Sequence, residues 1–361
     1  MVDKYAMGGH KLHWHLDRVS DWLQGQRIVP IHIDIGLSKG CNIRCEYCYG
    51  VTQGNFYRKG KDIYFPGGPL LRYMKEAGEA GVKSVGFIGE AEPLLNPYVY
   101  QAAAQARKAG IDVALGTNGI LLDTGPKGEE ILENLTWIRF NISAASDQSY
   151  RRIHGSREFS KAVEKIKFCV ETKRKKRLSV TIGMQMVLTF SNSDQAVPLA
   201  RLGKELGVDY FVVKQCSDTV EGKLGVHHRL GEYSSLSNIL KESESESHEG
   251  YNVIIKWGKI TNEGLRNYDH CLGTPFLLYS SGDGKLFPCG MFFDSEQKEY
   301  LLGDLVKQSF REIIESERYL EVIEKVKNID VHKKCYSNCR THCINEFLWQ
   351  LKNPPEHVNF I

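Results

Sequence analysis

The sequence lacks three features that would each indicate a particular location or partner. It has no run of about eighteen apolar residues of the kind that spans a membrane, and its N-terminal residues include no apolar segment typical of a secretory signal. The net charge is only +3, which argues against charge-driven binding to nucleic acid or to an acidic membrane. We therefore expect a cytoplasmic protein that binds neither nucleic acid nor membranes.

Cysteine, in contrast, is abundant, with 10 residues among 361. In a reducing compartment, thiols more often serve as metal or redox ligands than as disulfide partners. Three cysteines lie between residues 41 and 48 and five lie after residue 270, whereas only Cys169 and Cys216 lie between these groups. This distribution predicts two metal-binding regions in two structural units, with Cys169 in the core.

Apolar runs of strand length alternate with amphipathic stretches over the first two thirds of the chain. The predicted strands are 28–37, 84–92, 112–119, 136–143, 178–188 and 208–216, and the predicted helices are 70–81, 98–110, 127–135, 160–176 and 196–207. This alternation predicts a parallel sheet. We expect an α/β protein with a partial (β/α)6 TIM-like barrel, with a flat doubly wound sheet as the alternative. In both folds, functional groups gather at the carboxyl ends of the strands.

The pattern changes near residue 240, where a charged segment of low complexity covers residues 240–250. Residues 251–258 and 276–293 are typical of short antiparallel strands, the latter around a Gly-Asp-Gly turn. We predict an N-terminal extension at 1–27, a barrel at 28–240 and a small α+β domain at 250–361.

Cys41, Cys45 and Cys48 follow the first predicted strand with the spacing Cys-x3-Cys-x2-Cys. A structural zinc site or an ordinary all-cysteine iron–sulfur cluster uses four protein ligands, so three cysteines leave one iron of a [4Fe–4S] cluster open. This loop resembles the signature of the radical S-adenosylmethionine (SAM) superfamily. The resemblance implies that S-adenosylmethionine binds the open iron and yields a 5′-deoxyadenosyl radical that abstracts hydrogen from a C–H bond. It also implies an electron donor such as flavodoxin or ferredoxin.

Residues beyond the cysteine loop also match this superfamily. Tyr47 stands where the family places an aromatic residue against adenine. The segment after the second strand resembles its Gly-Gly-Glu-Pro motif, in which Glu92 would bind the methionine amine, although Glu90 and Ala91 replace the two usual glycines. Thr117, at the end of the third strand, is expected to approach the cofactor.

Polar residues alternate along the fourth strand, where Arg139, Asn141 and Ser143 share one face. We expect this face to line the barrel. The resemblance implies that it holds the ribose or the carboxylate of the cofactor, so Asn141 and Ser143 are both candidates. Gln185, on the fifth strand, is a further candidate.

The C-terminal cysteines resemble the SPASM/Twitch extension of this superfamily. Cys271, Gly284 and Cys289 match its opening pattern, whereas the spacing of the last three cysteines departs from it: Cys335, Cys339 and Cys343. Five thiolates cannot fill two four-cysteine clusters. We therefore predict one auxiliary [4Fe–4S] cluster, held by the first two cysteines and by two of the last three, all of which lie near it.

Two alternatives remain for this region. A zinc ion could replace the cluster, with His332 or His342 as a ligand, and a second auxiliary cluster could form if Cys216 or a ligand other than cysteine took part.

Lys214 and Cys216 end the sixth strand on the face that is expected to line the barrel. A buried lysine is costly unless it is paired, so Lys214 is a candidate to bind a substrate or cofactor carboxylate or to deprotonate an alcohol. Cys216 is either a small packed hydrophobe or the hydrogen-atom donor of a radical epimerase.

The predicted function is a radical SAM oxidoreductase, because a second cluster can accept the second electron of an oxidation. A sugar or aminocyclitol is the favoured substrate, since only 27 residues precede the first predicted strand and leave no room for a leader-binding domain. A radical epimerase that uses Cys216 and a peptide-modifying enzyme are the alternatives. A non-catalytic iron–sulfur carrier is disfavoured, because it would not need Glu92 or Thr117.

Overall fold

The computed structural model describes residues 5, 7, 9–48, 50, 63–293 and 295–360. Its strands are β1 (His32–Ile35), β2 (Ser38–Lys39), β3 (Ile63–Tyr64), β4 (Ser84–Phe87), β5 (Asp112–Thr117), β6 (Trp137–Asn141), β7 (Thr181–Leu188), β8 (Tyr210–Gln215), β9 (Asn252–Ile255), β10 (Leu277–Ser280), β11 (Lys285–Phe287) and β12 (Gly303–Asp304).

The helices of the N-terminal two thirds are α1 (Leu16–Leu23), α2 (Gly67–Ala80), α3 (Val99–Lys108), α4 (Pro126–Asn134), α5 (Asp147–His154), α6 (Phe159–Lys176), α7 (Ala196–Leu206) and α8 (Ser237–Glu244). Those of the C-terminal third are α9 (Trp257–Thr261), α10 (Phe310–Glu315), α11 (Glu317–Lys327), α12 (Val331–Lys334) and α13 (His342–Lys352). No helix in the described ranges is long and apolar enough to cross a membrane.

The six predicted strands pair in parallel and in chain order as β1, β4, β5, β6, β7 and β8. This arrangement confirms the α/β fold with a partial TIM-like barrel. Apolar residues that are fully buried hold the strands against the helices, among them Ile33, Val85, Val113, Ile138, Ile182 and Phe211. The sheet therefore directs the carboxyl ends of its strands to one end of the barrel, as parallel pairing requires.

In the N-terminal two thirds, helices α1, α5 and α8 escaped the sequence prediction, and α5 bears on the site. Helix α5 begins at a capping box formed by Ser146 and Ser149 and ends at Gly155, whose φ of +59° suits glycine. It is short and has only two apolar residues, Tyr150 and Ile153, so its sequence offers few positions from which to recognise a helix. Its last residue, His154, is nevertheless fully buried.

The antiparallel assignment for residues 251–258 was wrong, because β9 pairs in parallel with β8. Helix α8 lies between these strands in the sequence and provides the crossover that parallel pairing needs. The local apolar pattern reports a strand but does not report the direction of its neighbour. The predicted domain boundary at 240–250 stays a prediction.

The antiparallel hairpin predicted around the Gly-Asp-Gly turn is confirmed by the pairing of β10 with β11. Gly284 adopts a φ of +83° in this turn, a conformation that other residues rarely tolerate. β10 also pairs in parallel with β1, so the hairpin and β12 extend the barrel sheet to ten strands.

Candidate functional site

The three cysteines of the first motif lie in a loop at the carboxyl end of β1 and β2. Burial raises the pKa of Cys45, and the neighbouring charges of Cys48 and Cys41 raise it further. Burial, followed by the charge of Glu92, raises the pKa of Cys41 to about 12. The three thiols and the Glu92 carboxylate therefore lie close together, and thiolate ligation here requires the positive charge of bound iron.

Cys45 receives hydrogen bonds that the sequence motif does not reveal. His154 Nδ1 lies 3.1 Å from Cys45 Sγ, while His154 Nε2 accepts the backbone N–H of Ser143 at 2.9 Å. Because Nε2 accepts, the imidazole proton resides on Nδ1 and points to the sulfur. Burial lowers the pKa of His154 to about 3, so the ring is neutral. A hydrogen bond from Tyr47 also lowers the pKa of Cys45.

The Tyr47 hydroxyl links the cysteine loop to the predicted cofactor residues of β6 and β7. It accepts hydrogen bonds from Asn141 Nδ2 at 3.2 Å and from Ser143 Oγ at 2.8 Å. Gln185 Nε2 in turn donates to Asn141 Oδ1 at 3.1 Å. The structure thus brings four predicted residues into one connected group beside the cysteines.

Glu92 is buried, and its carboxylate accepts several hydrogen bonds. Thr117 Oγ1 donates to Oε1 at 2.6 Å, Leu94 N–H donates to Oε1 at 3.0 Å, and Asn118 N–H donates to Oε2 at 2.8 Å. Burial raises the pKa of Glu92, while these donors oppose the rise. Thr117 therefore orients Glu92 in this structure.

Two residues of the motif that depart from glycine have distinct roles. Ala91 has a φ of +56°, so it keeps the left-handed backbone that glycine adopts more easily. Glu90 is fully buried and accepts a hydrogen bond from the backbone N–H of Gly282, in the turn between β10 and β11. Glu90 therefore joins this motif to the C-terminal hairpin.

Four C-terminal cysteines lie near one another. Burial, followed by the charges of Cys339 and Cys289, raises the pKa of Cys271 to about 12. Burial, and then the charges of Cys339 and Cys271, likewise raise the pKa of Cys335. Asn345 holds the region together: it accepts from two backbone N–H groups and approaches Cys271 Sγ through Nδ2 at 3.8 Å.

Cys343 has different surroundings. After burial, the main influences on its pKa are Lys259 and Glu346, and Cys339 comes last. Both ring nitrogens of His342 already have partners: Tyr268 lies 3.2 Å from Nδ1, and Asn262 lies 3.0 Å from Nε2. Among the residues that the structure describes, no three His, Cys, Asp or Glu side chains converge on a single ion position.

Lys214 and Cys216 occupy the end of β8 as predicted, in different environments. Burial, followed by the charge of Arg139, lowers the pKa of Lys214 to about 7. Cys216 is 1% exposed, and burial raises its pKa to about 12. Cys169 is fully buried, as expected for a core residue. The ten cysteines, all within the described residues, form no disulfide bond.

Two family models match the two cysteine-containing regions. A model of the radical SAM superfamily matches residues 35–197, and a model of SPASM, an iron–sulfur cluster-binding domain, matches residues 277–344. The chain contains a radical SAM domain followed by a SPASM domain. As a radical SAM protein with a SPASM domain, it uses S-adenosylmethionine, a [4Fe–4S] cluster and an auxiliary cluster. The two groups of neighbouring thiols fit these clusters.

Several known proteins are similar to most of this chain at low identity. The chain is 25% identical to the AdoMet-dependent heme synthase of Methanosarcina barkeri over 338 residues, which cover 84% of this chain and 89% of that protein. It is 23% identical to the tungsten-containing aldehyde ferredoxin oxidoreductase cofactor-modifying protein of Pyrococcus furiosus, covering 80% and 82%. The crystal structure of Streptococcus suis SuiB bound to precursor peptide SuiA superposes with a TM-score of 0.64 at 15% identity, covering 88% and 71%.

Several residues of the site carried no recognised signal in the sequence. His154 is the last residue of α5, between a capping box at the start of the helix and Gly155 at its end. This pattern could have revealed the helix but not the contact of His154 with Cys45. Asn118 lies within the Thr-Asn-Gly sequence and donates to Asn42 Oδ1 at 2.7 Å. Asp34 and Arg340 are 306 positions apart and form an ion pair that only the fold brings together.

Proposed function

We propose that this chain is a radical SAM oxidoreductase that dehydrogenates an organic substrate. When bound, the cofactors supply the radical that removes one hydrogen atom and an acceptor for the second electron, and a proton leaves to complete a two-electron oxidation. The observation that carries the proposal is the presence of a second group of four neighbouring cysteines, in the C-terminal region whose strands β10–β12 extend the barrel sheet. Cys271, Cys289, Cys335 and Cys339 are the proposed auxiliary ligands.

The residues proposed to bind S-adenosylmethionine form two groups around Cys41, Cys45 and Cys48. Glu92, oriented by Thr117, would accept a hydrogen bond from the methionine amine. Its negative charge raises the pKa of Cys41, so the carboxylate lies near the cluster ligands, which supports this assignment. Tyr47 and the β6–β7 residues Asn141, Ser143 and Gln185 would hold the nucleoside. A cytoplasmic location and reduction by flavodoxin or ferredoxin complete the proposal.

Oxidation is favoured over epimerisation because of the surroundings of Cys216. A thiol that quenches a substrate radical must contact the substrate, whereas this one is 1% exposed, belongs to the main apolar core and points to the Ser217 carbonyl at 3.5 Å. Cys216 is therefore interpreted as a small packed side chain of the core. Lys214 is left as the candidate that meets a substrate anion or takes a proton from an alcohol.

A peptide-modifying activity is the second candidate function, supported by the likeness in fold to SuiB, which was solved with its precursor peptide. Neither of the curated relatives described above is named for a sugar or aminocyclitol, so that preference stays a prediction.

The experiment is to incubate reconstituted, reduced protein with S-adenosylmethionine and with either a low-molecular-mass or a peptide fraction. Substrate-dependent 5′-deoxyadenosine identifies the active fraction. A product lighter by two hydrogen atoms supports dehydrogenation, provided that Cys216→Ala still forms it. A product of unchanged mass that takes up solvent deuterium, and that Cys216→Ala does not form, would overturn the proposal in favour of epimerisation.

A further inference from the structure

Five basic side chains converge at the interior of the barrel and come from four parts of the chain. Arg139 lies on β6, Lys214 on β8, Lys256 directly after β9, Lys259 on α9 and Arg340 just after Cys339. Burial lowers the pKa of Lys256 most, and four neighbouring charges add to this effect, giving a value of about 6. They belong to Lys259, Arg139, Lys214 and Arg340. The backbone agrees with this proximity: Lys256 N–H donates to the Val213 carbonyl, next to Lys214, at 3.1 Å.

This group is short of anions. Within the described ranges, Asp34 is the one carboxylate that forms an ion pair with any of the five: it accepts from Arg340 Nε at 2.5 Å and from Nη2 at 3.2 Å. Among the described residues, no carboxylate oxygen lies within 4.0 Å of the amino group of Lys214 or of Lys256. Unpaired cations that are partly buried are costly, so an arrangement of this kind points to an external anion.

The position of the group relates it to both clusters. Lys259 Nζ donates to the Cys339 carbonyl at 3.1 Å and to Asn338 Oδ1 at 2.6 Å, which places it beside the SPASM cysteines. Lys214 directly precedes Gln215, whose carbonyl accepts a hydrogen bond from Asn338 Nδ2 at 2.7 Å, and the charge of Cys48 in the radical SAM loop raises the pKa of the adjacent Cys216. The cations therefore lie between the two cysteine groups, where the substrate of an oxidation that uses both clusters would bind.

The side chains remain accessible to a ligand. Arg340 keeps 48% of its side chain exposed although its partner Asp34 is buried, and Lys214, Lys256 and Lys259 are each partly exposed. The carboxylate of S-adenosylmethionine and Asp34 can pair with two of the five groups, and the thiolate of Cys339 lies near Lys259. Lys214 and Lys256 are left for the substrate, and a neutral sugar would offer them no anion.

We propose that the substrate is an anion with at least two acidic groups, carboxylates or phosphates, held by Lys214, Lys256, Lys259, Arg139 and Arg340. This inference rests on the proposed function and names its substrate class. Dense positive charge from lysine and arginine is how proteins bind carboxylate and phosphate groups. Because the pKa values of Lys214 and Lys256 are lowered, both side chains are partly neutral in the empty site, which reduces their repulsion. When an anion binds, both side chains take up protons.

The test uses the reconstituted holoenzyme with S-adenosylmethionine present, so that its own carboxylate is already bound. Calorimetry measures the binding of tricarballylate, of its neutral triamide and of pyrophosphate; the two anions distinguish carboxylates from phosphates as the preferred groups. We expect at least one anion to bind and the triamide not to bind. Lys214→Met and Lys256→Met should each weaken anion binding at least about tenfold.

Lys127→Met and Lys108→Met remove exposed charges elsewhere and should change the affinity less than about twofold. Iron content and the melting temperature verify that each variant is folded, and Lys256→Gln replaces Lys256→Met if the latter is not. Equal binding of triamide and anions, absence of anion binding, or equal losses in the control variants would overturn the inference. Reductive cleavage of S-adenosylmethionine, measured separately without anion, reports on the proposed function alone.

Discussion

The imidazole of His154 donates a hydrogen bond to the sulfur of Cys45 at 3.1 Å, with its proton fixed on Nδ1 by the Ser143 N–H. Hydrogen bonds to cluster sulfurs raise the reduction potential, because they stabilise the more negative, reduced state. His154→Phe should therefore lower the potential of the radical SAM cluster by on the order of 60 mV, the equivalent of one hydrogen bond for a one-electron couple.

A redox titration followed by electron paramagnetic resonance measures this change. Tyr150→Phe is the matched control, since Tyr150 stacks on His154 at 4.3 Å but its buried hydroxyl has no hydrogen-bond partner among the described residues. An unchanged potential in His154→Phe, with four irons still bound at this site, would contradict the role assigned to the imidazole.

Replacement of Glu92 tests the binding of S-adenosylmethionine. Glu92→Gln should weaken binding by about 1.5–3 kcal/mol, the worth of a charged hydrogen bond, while the cluster spectrum stays intact. Glu90→Gln in the same loop is the control, because Glu90 accepts a hydrogen bond from Gly282 of the hairpin. The affinity of this variant for S-adenosylmethionine should stay within about twofold of that of the unmodified protein. If Glu90→Gln lost affinity and Glu92→Gln did not, the motif would have been aligned to the wrong carboxylate.

Iron analysis tests the choice of auxiliary ligands. Anaerobically reconstituted protein should hold about eight irons, and the triple replacement of Cys41, Cys45 and Cys48 by alanine should leave about four. Cys339→Ala should lose the auxiliary cluster, whereas Cys343→Ala should keep about eight irons, because Cys343 faces Lys259 and Glu346. Loss of iron in Cys343→Ala but not in Cys339→Ala would reverse this assignment, and zinc in place of auxiliary iron would refute it.

The affinity for a polyanion should depend on pH. The pKa of Lys214 lies at about 7 and that of Lys256 at about 6, both lowered first by burial and then by neighbouring cations, while Asp34 stays ionised with a pKa of about 2. An anion binds the protonated lysines better, so binding takes up protons once both lysines are neutral. The affinity for tricarballylate should therefore fall at least about tenfold from pH 6 to pH 8.

Calorimetry in buffers with different ionisation enthalpies detects this proton uptake directly. In Lys214→Met the decrease with pH should be shallower, since only Lys256 then titrates in this range, beside the permanent charges of Arg139 and Arg340 and beside Lys259. A flat profile in the unmodified protein would contradict the titration of these two lysines.

The barrel strands and the two cysteine groups were predictable, because both depend on patterns within a few residues. The strand β7 was predicted at 178–188 and runs from Thr181 to Leu188, since an apolar strand buried on both faces reads clearly in one dimension. The direction of β9 was not predictable from its residues. That direction depends on the neighbouring strand and on the crossover through α8.

Long-range contacts account for the site residues that sequence reasoning missed. His154 lies 109 positions from Cys45, and Arg340 lies 306 positions from Asp34. A single histidine or arginine offers no periodicity or spacing to mark such a contact. Lys214 was identified because its strand alternation was known, whereas Lys256 was assigned to an antiparallel strand outside the barrel and so was not recognised as part of the same site.

Strand β1 has a barrel strand on one side and the SPASM hairpin on the other: Asp34 pairs with Gly86 of β4 and with Tyr279 of β10. The hairpin that ends just before Cys289 is therefore attached to the barrel by hydrogen-bonded strands. An electron that passes between the clusters would travel over a nearly constant distance, whatever the substrate. Removal of the C-terminal domain would also leave β1 as an unpaired edge, open to aggregation. The second cluster is thus built into the barrel and is not a detachable accessory.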